Sequence, residues 1–284
     1  MDHVIFSPRA NIRFNPSEAV NLRVSYAGGY RAPQAFDEDM HIAVVGGKRV
    51  RIRLADDLKE ERSHSVSLSA DLYHNFGRVQ TNLLVEGFYT ILDDVFALRD
   101  LEDTDDGGKI KERYNGSGAA VRGFNVEGRA IFTRWFELQA GVTLQQSRYR
   151  KPERWSEDAD VPPVRRMFRT PDAYGYFTAA FRPVRNFTAD LTGTCTGSML
   201  VQHMAGSGVA QDAAVSTPSF FDMNVRLSYD LRIYKEITLQ LYGGVQNLFN
   251  AYQKDFDKGA DRDSGYIYGP SLPRSWFVGA KVSF

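Results

Sequence analysis

The residues best suited to chemistry lie in polar stretches between strand-like segments. Lys48, Arg49, Arg51 and Arg53 follow Gly46-Gly47. Guanidinium forks match the oxygens of carboxylates and phosphates, so this run could receive an anionic ligand. The plainer reading, which we prefer, is a solvated loop hairpin turning at the glycines. Its arginines are balanced by Asp37, Glu38, Asp39, Asp56 and Asp57. His41 follows Met40 and His203 precedes Met204, pairings that could serve haem or soft-metal ligation. Each histidine lacks an obvious second ligand, so a solvent-exposed role is the simpler expectation. Asp100 to Gly108 carries oxygens enough for calcium but lacks the spacing and closing glutamate of an EF-hand. A flexible acidic loop is expected there, and likewise around Asp255, Asp257, Asp261 and Asp263. The nucleophile elbow, the Walker loop and His-Glu-x-x-His do not occur, so no catalytic residue, metal or cofactor is assigned.

The elements that must hold these loops are strands. The chain has 284 residues, 13% of them aromatic, and a formal charge of +0. That balance argues against a nucleic-acid partner, which a basic surplus would serve. No stretch approaches the roughly 20 apolar residues of a membrane helix. The single Cys195 excludes an intrachain disulfide framework. The amino terminus shows no export signal, which makes a fragment of a longer precursor the expected origin, with Met1 a misassigned or artificial start.

The last ten residues show the pattern most plainly. Trp276, Val278, Ala280, Val282 and Phe284 alternate with Phe277, Gly279, Lys281 and Ser283. A period of two means a β-strand with unlike surroundings on its two faces. About eleven such segments follow one another, among them Val20–Tyr26, Val66–Leu72, Phe136–Leu144 and Phe221–Leu231. Their connections alternate short and long, so tight turns fall at one end and long loops at the other. That asymmetry fits a transmembrane up-and-down barrel better than a sandwich or propeller. Aromatics gather near both ends, as two membrane–water girdles would require. Phe14, Tyr73, Trp135 and Phe181 mark the turn end; Tyr26, Tyr89, Tyr149, Tyr174 and Trp276 mark the loop end. An odd strand count cannot close antiparallel, so the segments predict part of a wall.

Several stretches carry a family resemblance. Ser25-Tyr26-Ala27-Gly28-Gly29-Tyr30-Arg31-Ala32-Pro33 resembles an aromatic-Arg-Ala-Pro segment leading into an external loop. Asp57-Leu58-Lys59-Glu60-Glu61-Arg62-Ser63 resembles a Leu-Lys-Pro-Glu segment, with Glu60 where the proline is usual. Val245 to Asn250, including Asn247, with Tyr268-Gly269-Pro270, Pro273-Arg274 and the terminal Phe284, resembles a closing signature. Together they are similar to the carboxyl-terminal half of the barrel of a TonB-dependent outer-membrane receptor. The resemblance implies an all-β, partial barrel of about eleven strands from a wall of about 22, spanning residues 1–284, with the plug domain and first half of the wall absent. It implies uptake of siderophore-iron, haem, cobalamin or a glycan, captured by external loops in a Gram-negative outer membrane. Its partners would be the bilayer, lipopolysaccharide, a small-molecule or metal-chelate ligand, TonB acting on the missing plug, and the assembly machinery engaging the terminal strand. The alternatives are a passive porin or adhesin-like barrel and, third, a soluble β-sheet binding protein.

Overall fold

The computed structural model of the protein describes residues 4–33, 50–103, 109–206, 208–260 and 262–284, and none of these is helical. The strands are β1 (Arg9–Ser17), β2 (Val20–Arg31), β3 (Val50–Leu54), β4 (Glu61–Phe76), β5 (Val79–Asp93) and β6 (Phe96–Asp103). They continue with β7 (Lys109–Asn115), β8 (Ala119–Thr133), β9 (Phe136–Glu153), β10 (Val164–Arg166), β11 (Ala173–Val184) and β12 (Phe187–Thr196). The last are β13 (Leu200–His203), β14 (Ala213–Ser216), β15 (Phe220–Tyr234), β16 (Ile237–Gln246) and β17 (Ser275–Ser283). Eleven of them form one antiparallel wall in the order β1-β2-β4-β5-β8-β9-β11-β12-β15-β16-β17, the number and up-and-down order that the alternation predicts. Among the described residues β1 and β17 each pair on one side only.

The register sorts the side chains. Trp276 opposes Val245, Val278 opposes Gly243 and Ala280 opposes Leu241. Leu241 opposes Tyr229, which opposes Phe187. The apolar row therefore runs from strand to strand without a slip, because a shift of one residue would turn every side chain over. Among the described residues no second layer packs on it: Leu68 is 60% exposed, Leu227 46% and Val278 89%. The buried apolar side chains among the described residues are few and mostly small, such as Ala55, Ala119, Val161 and Val201. A soluble sheet of this size would need a dry core, so the third alternative fails on packing.

The opposite face is knitted by polar groups. The Tyr176 hydroxyl donates to Glu127 Oε2 at 2.7 Å and Gln139 Nε2 donates to Glu127 Oε1 at 2.8 Å. Asn125 donates to Glu86 and accepts from Thr143, at 3.0 and 2.9 Å. Gly141 lets Tyr176 lie flat across the strand, since a Cβ there would sit 2.7 Å from its ring.

Arg51 and Arg53 lie on β3, which pairs in parallel with β7 of the next loop; Val44 to Arg49, with the glycines at which a hairpin is expected, lie outside the described residues. Two expectations need correction. The wall strands outrun the alternating segments, β4 beginning at Glu61 and β9 ending at Glu153. Beyond the apolar belt both faces are polar, so periodicity fades while hydrogen bonding continues. Second, Tyr73, Tyr149 and Tyr174 fall on the polar register, opposite Asn82, Ala119 and Thr196, and so do not belong to an outward girdle.

Facing is testable with one pair of charges. Leu227 lies on the apolar face; Thr192, opposite Asn224, lies on the polar one. Leu227→Arg in the full product of the native gene should reduce the heat-modifiable, membrane-assembled form, since a lipid-facing charge near mid-depth costs roughly 2–4 kcal/mol. Thr192→Arg should assemble as the parent does. Equal assembly of the two would contradict the facing.

Candidate functional site

The long connections gather at one end of the wall and are built from it. β6 and β7 prolong the β5–β8 connection, β3 joins their outer edge, β10 adds to β9, and β13 and β14 form a hairpin between β12 and β15. Two of the motif residues meet at their base. Arg31, at the end of β2, opposes Glu61, at the start of β4, and their charged groups lie 3.7 Å apart. Glu61 Oε1 also accepts the Phe96 backbone N–H at 2.5 Å, tying the start of β6 to the wall. Two guanidiniums approach the Phe96 ring, Arg31 at 5.7 Å and the buried Arg113 at 5.9 Å from its centre. Glu60, in place of the usual proline, is buried and takes a forked contact from Arg62, at 3.0 and 2.6 Å. Pro33 stands in the coil just after β2.

The closing signature is a second clasp. Asn247 is buried at φ 50°, a left-handed backbone that asparagine tolerates better than most residues. Its side chain accepts the Ala251 N–H at 2.8 Å and donates to the carbonyls of Ala251 and Leu272 at 2.9 and 3.0 Å. Asn250, also left-handed at φ 55°, accepts the Arg274 N–H at 2.9 Å, and Arg274 Nη1 reaches the Leu248 carbonyl. These contacts close the last loop at the point where Pro273 hands the chain to β17. Phe284 is 99% exposed and makes no clasp.

His203 is not a lone histidine. Its Nε2 donates to Asp257 Oδ1 at 2.8 Å, both side chains are buried, and its ring stacks on Tyr266 at 3.6 Å and 8°. The acids expected to form a flexible loop are likewise engaged: Asp257 accepts the Asp263 N–H and Asp263 accepts that of Met204. Asp255 takes the Tyr266 and Tyr268 hydroxyls at 3.0 and 2.5 Å. Burial alone would raise the Asp255 carboxyl, but the two donated hydroxyls, together with hydrogen bonds from its own backbone and from Gln253, outweigh it and hold its pKa below the usual carboxylate value. Burial and the Asp255 charge push Tyr266 up to about 12 and Tyr268 higher still. Among the described residues no three His, Cys, Asp or Glu side chains gather closely enough to hold a metal ion. His41, Lys48, Arg49 and Asp261 lie outside the described residues, as does most of the acidic stretch after Asp103; Arg51 and Arg53 are exposed on β3.

Beside this node is a cleft of about 450 Å³, within the range of small-ligand sites. Phe96 and Leu98 of β6 form one wall, Tyr149 and Glu153 of β9 another, and Trp155, Phe168 and Met204 a third. Trp155 and Phe168 meet edge to face at 5.3 Å. Glu153 accepts the Tyr114 hydroxyl at 3.3 Å; burial, then the Glu153 charge, raises that phenol. The cleft offers aromatic faces with a few charges at its edge, a surface for flat or chelating ligands rather than for covalent chemistry. Sequence reasoning passed over Trp155 and Phe168, although a tryptophan in an otherwise polar connection was the available signal.

The tyrosine–aspartate node sets a pH window. Tyr266 and Tyr268 have raised folded values, so their contribution is complete below about pH 10 and lost as pH climbs toward the folded values. Asp255 is lowered, so its contribution is complete above about pH 4 and lost as pH falls through its folded value. Asp255→Asn should bring the ionisation of Tyr266 down toward its ordinary value, read by tyrosinate absorbance; an unchanged titration would contradict the node.

No curated protein matches the sequence. Among solved structures, the chain resembles the closed form of the ferric-catecholate import receptor Fiu from E. coli K12, with a TM-score of 0.61 at 17% identity, over 96% of this chain and 34% of that one. It resembles the siderophore receptor PirA from Acinetobacter baumannii, with a TM-score of 0.63 at 16% identity over 98% and 41%. The copper transporter OprC gives 0.65 at 12% identity over 98% and 39%. Identities this low show the shared fold alone, and the chain spans well under half the length of these three structures. A family model described as TonB dependent receptor-like, beta-barrel, matches residues 2–248, and the chain belongs to that family.

Proposed function

We propose that this chain is the carboxyl-terminal part of the wall of an outer-membrane receptor that captures a scarce nutrient at its loop end and imports it with energy from TonB. The observation that carries the proposal is the wall itself: eleven antiparallel strands, bare apolar side chains on one face, and long connections knitted together at one end only. The family is one of transport receptors, not of enzymes. The two half-paired end strands and the partial span of the matched structures support a further stretch of wall and a plug supplied by the rest of the protein. TonB would act on that plug. Among nutrients, a ferric siderophore is the first choice, because Fiu and PirA are described as receptors of that class and the Trp155–Phe168 cleft suits a flat aromatic chelate. Haem, cobalamin and glycans are the other arms of the test.

Uptake of radiolabelled ferric siderophores by iron-starved cells should fall on deletion of the gene and on deletion of TonB alike. Uptake that persists without TonB would instead favour a passive pore. Trp155→Ala should raise the half-saturating ligand concentration roughly three- to tenfold, the worth of one aromatic contact, while leaving assembly intact. An unchanged half-saturation would move the ligand away from this cleft.

A further inference from the structure

The connection between β16 and β17 brings three oxygen-bearing side chains to one point. Asp255 receives the Tyr266 hydroxyl on Oδ2 at 3.0 Å and the Tyr268 hydroxyl on Oδ1 at 2.5 Å. Closing the loop does not require this contact, because Gln253 already supplies the closure. That side chain is 1% exposed; it donates to the Tyr266 carbonyl at 2.9 Å and accepts the Tyr268 and Gly269 N–H groups at 2.8 and 3.3 Å. Arg169 holds the carbonyls of Gly265 and Ile267, the residues before and between the two tyrosines. The rings are fixed as well. Tyr266 is 3% exposed and stacks on His203, and Tyr268 leans on Phe220 at 6.0 Å and 48°. Both phenols are therefore presented to one carboxylate by a frame that does not depend on them.

These oxygens stand as metal donors do. Around a small ion with bonds of about 2.0 Å, neighbouring octahedral ligands lie about 2.8 Å apart. The hydroxyl and carboxylate oxygens here are 3.0 and 2.5 Å apart. No third His, Cys, Asp or Glu side chain completes a set among the described residues; the tyrosines do. His203 stays outside the set, because its Nε2 is committed to Asp257. With neither sulfur nor imidazole contributing, the donors are hard, and phenolate is an established ligand of ferric iron. A carboxylate with a pair of phenolates neutralises a trivalent ion, whereas a divalent one would leave surplus negative charge. Asp255 forms no ion pair with a lysine or arginine among the described residues. It is exposed and Tyr268 is half-buried, so an ion can enter and keep positions for water.

We propose that Asp255, Tyr266 and Tyr268 form a binding site for a hard trivalent cation such as ferric iron, held by the protein's own oxygens. On binding, the two phenol O–H bonds break and their protons pass to water. Each phenolate oxygen and the carboxylate then bond the ion, and no electron moves. None of the three residues lines the Trp155–Phe168 cleft. The cleft meets a ligand through aromatic faces; this site takes the ion itself. The inference rests on the geometry of the last loop, not on which nutrient is imported or what drives the import.

The test uses the complete receptor purified into nanodiscs, stripped of metal and titrated with ferric nitrilotriacetate. Saturation should bring up a visible phenolate-to-iron charge-transfer band. Tyr266→Phe combined with Tyr268→Phe should abolish the band and weaken iron retention at least about tenfold. Tyr252→Phe, on the same loop, should leave both unchanged. Gallium(III) should displace the iron, and calcium or zinc at equal concentration should not. Should the double tyrosine variant fail to assemble, Asp255→Asn, which keeps the side-chain shape, should show the same loss of retention. A band of parental strength in the double variant would place the iron on other tyrosines and overturn the proposal. So would the lack of any band at saturation, or displacement of iron by zinc. Siderophore uptake that continues in a receptor showing no band would overturn this inference alone. Uptake lost with the band intact would bear on the nutrient reading and leave this one standing.

Discussion

The constraint on which everything else depends is backbone hydrogen bonding where no water is available. A peptide group facing hydrocarbon without a partner costs several kcal/mol, so a chain that crosses with strands must pair every strand with neighbours. In this protein that pairing runs unbroken through eleven strands, with bulges confined largely to the turn end, as at Phe14 to Ser17 and Ile131 to Thr133. The usual engine of folding, a dry interior, is replaced by a two-faced sheet. Leu227 and Leu241 meet no protein across the sheet, while Glu127 and Glu86 are held in polar networks on the other side. Among the described residues the two end strands each pair on one side only, and an edge facing hydrocarbon would need a partner as much as any interior strand does.

With the wall rigid, specificity passes to the loops, and these are held by a few clasps. Arg31, Glu61 and the Phe96 backbone join three separate segments at the base of the loops. Asn247, Asn250 and Arg274 do the same for the last loop. Arg169 donates to the carbonyls of Ile267 and Gly265, bridging the β10–β11 connection to that loop across nearly a hundred residues of sequence. The motif residues are thus fasteners; the surfaces they present, such as the Trp155–Phe168 cleft, are where ligand chemistry resides. Conformational entropy gives the reason: a long loop closed at its base has far fewer states to lose when it meets a ligand.

The wall was legible in the sequence because its two faces touch different solvents, and a period of two records that contrast directly. Phe136 to Leu144 and the final strand show it residue by residue. Above the apolar belt the contrast disappears, which is why β4 and β9 run longer than their patterns and why β6 and β7 left no mark. The clasp between Arg31 and Glu61 was visible as two separate motifs, but pairing across a loop of many residues is a tertiary fact that spacing does not carry. His203 read as solitary for the same reason: its partner Asp257 and its stacking surface Tyr266 arrive from the last loop. Arg122 and Arg148 were hidden differently, because they sit in ordinary alternation and become unusual only when the register puts them on the face of Phe124 and Leu144.

The central claim is that a single sheet separates hydrocarbon from water with no protein on its apolar side. The most direct measurement is a spin-label scan along β15 in the assembled receptor, after replacing Cys195, comparing collision with molecular oxygen and with a water-soluble nickel chelate. Labels at Val225, Leu227, Tyr229 and Leu231 should favour oxygen, and labels at Asn224, Arg226, Ser228 and Asp230 the chelate, in strict alternation. Labels on the first set shielded from both reagents would mean a dry protein interior, and the account would be wrong.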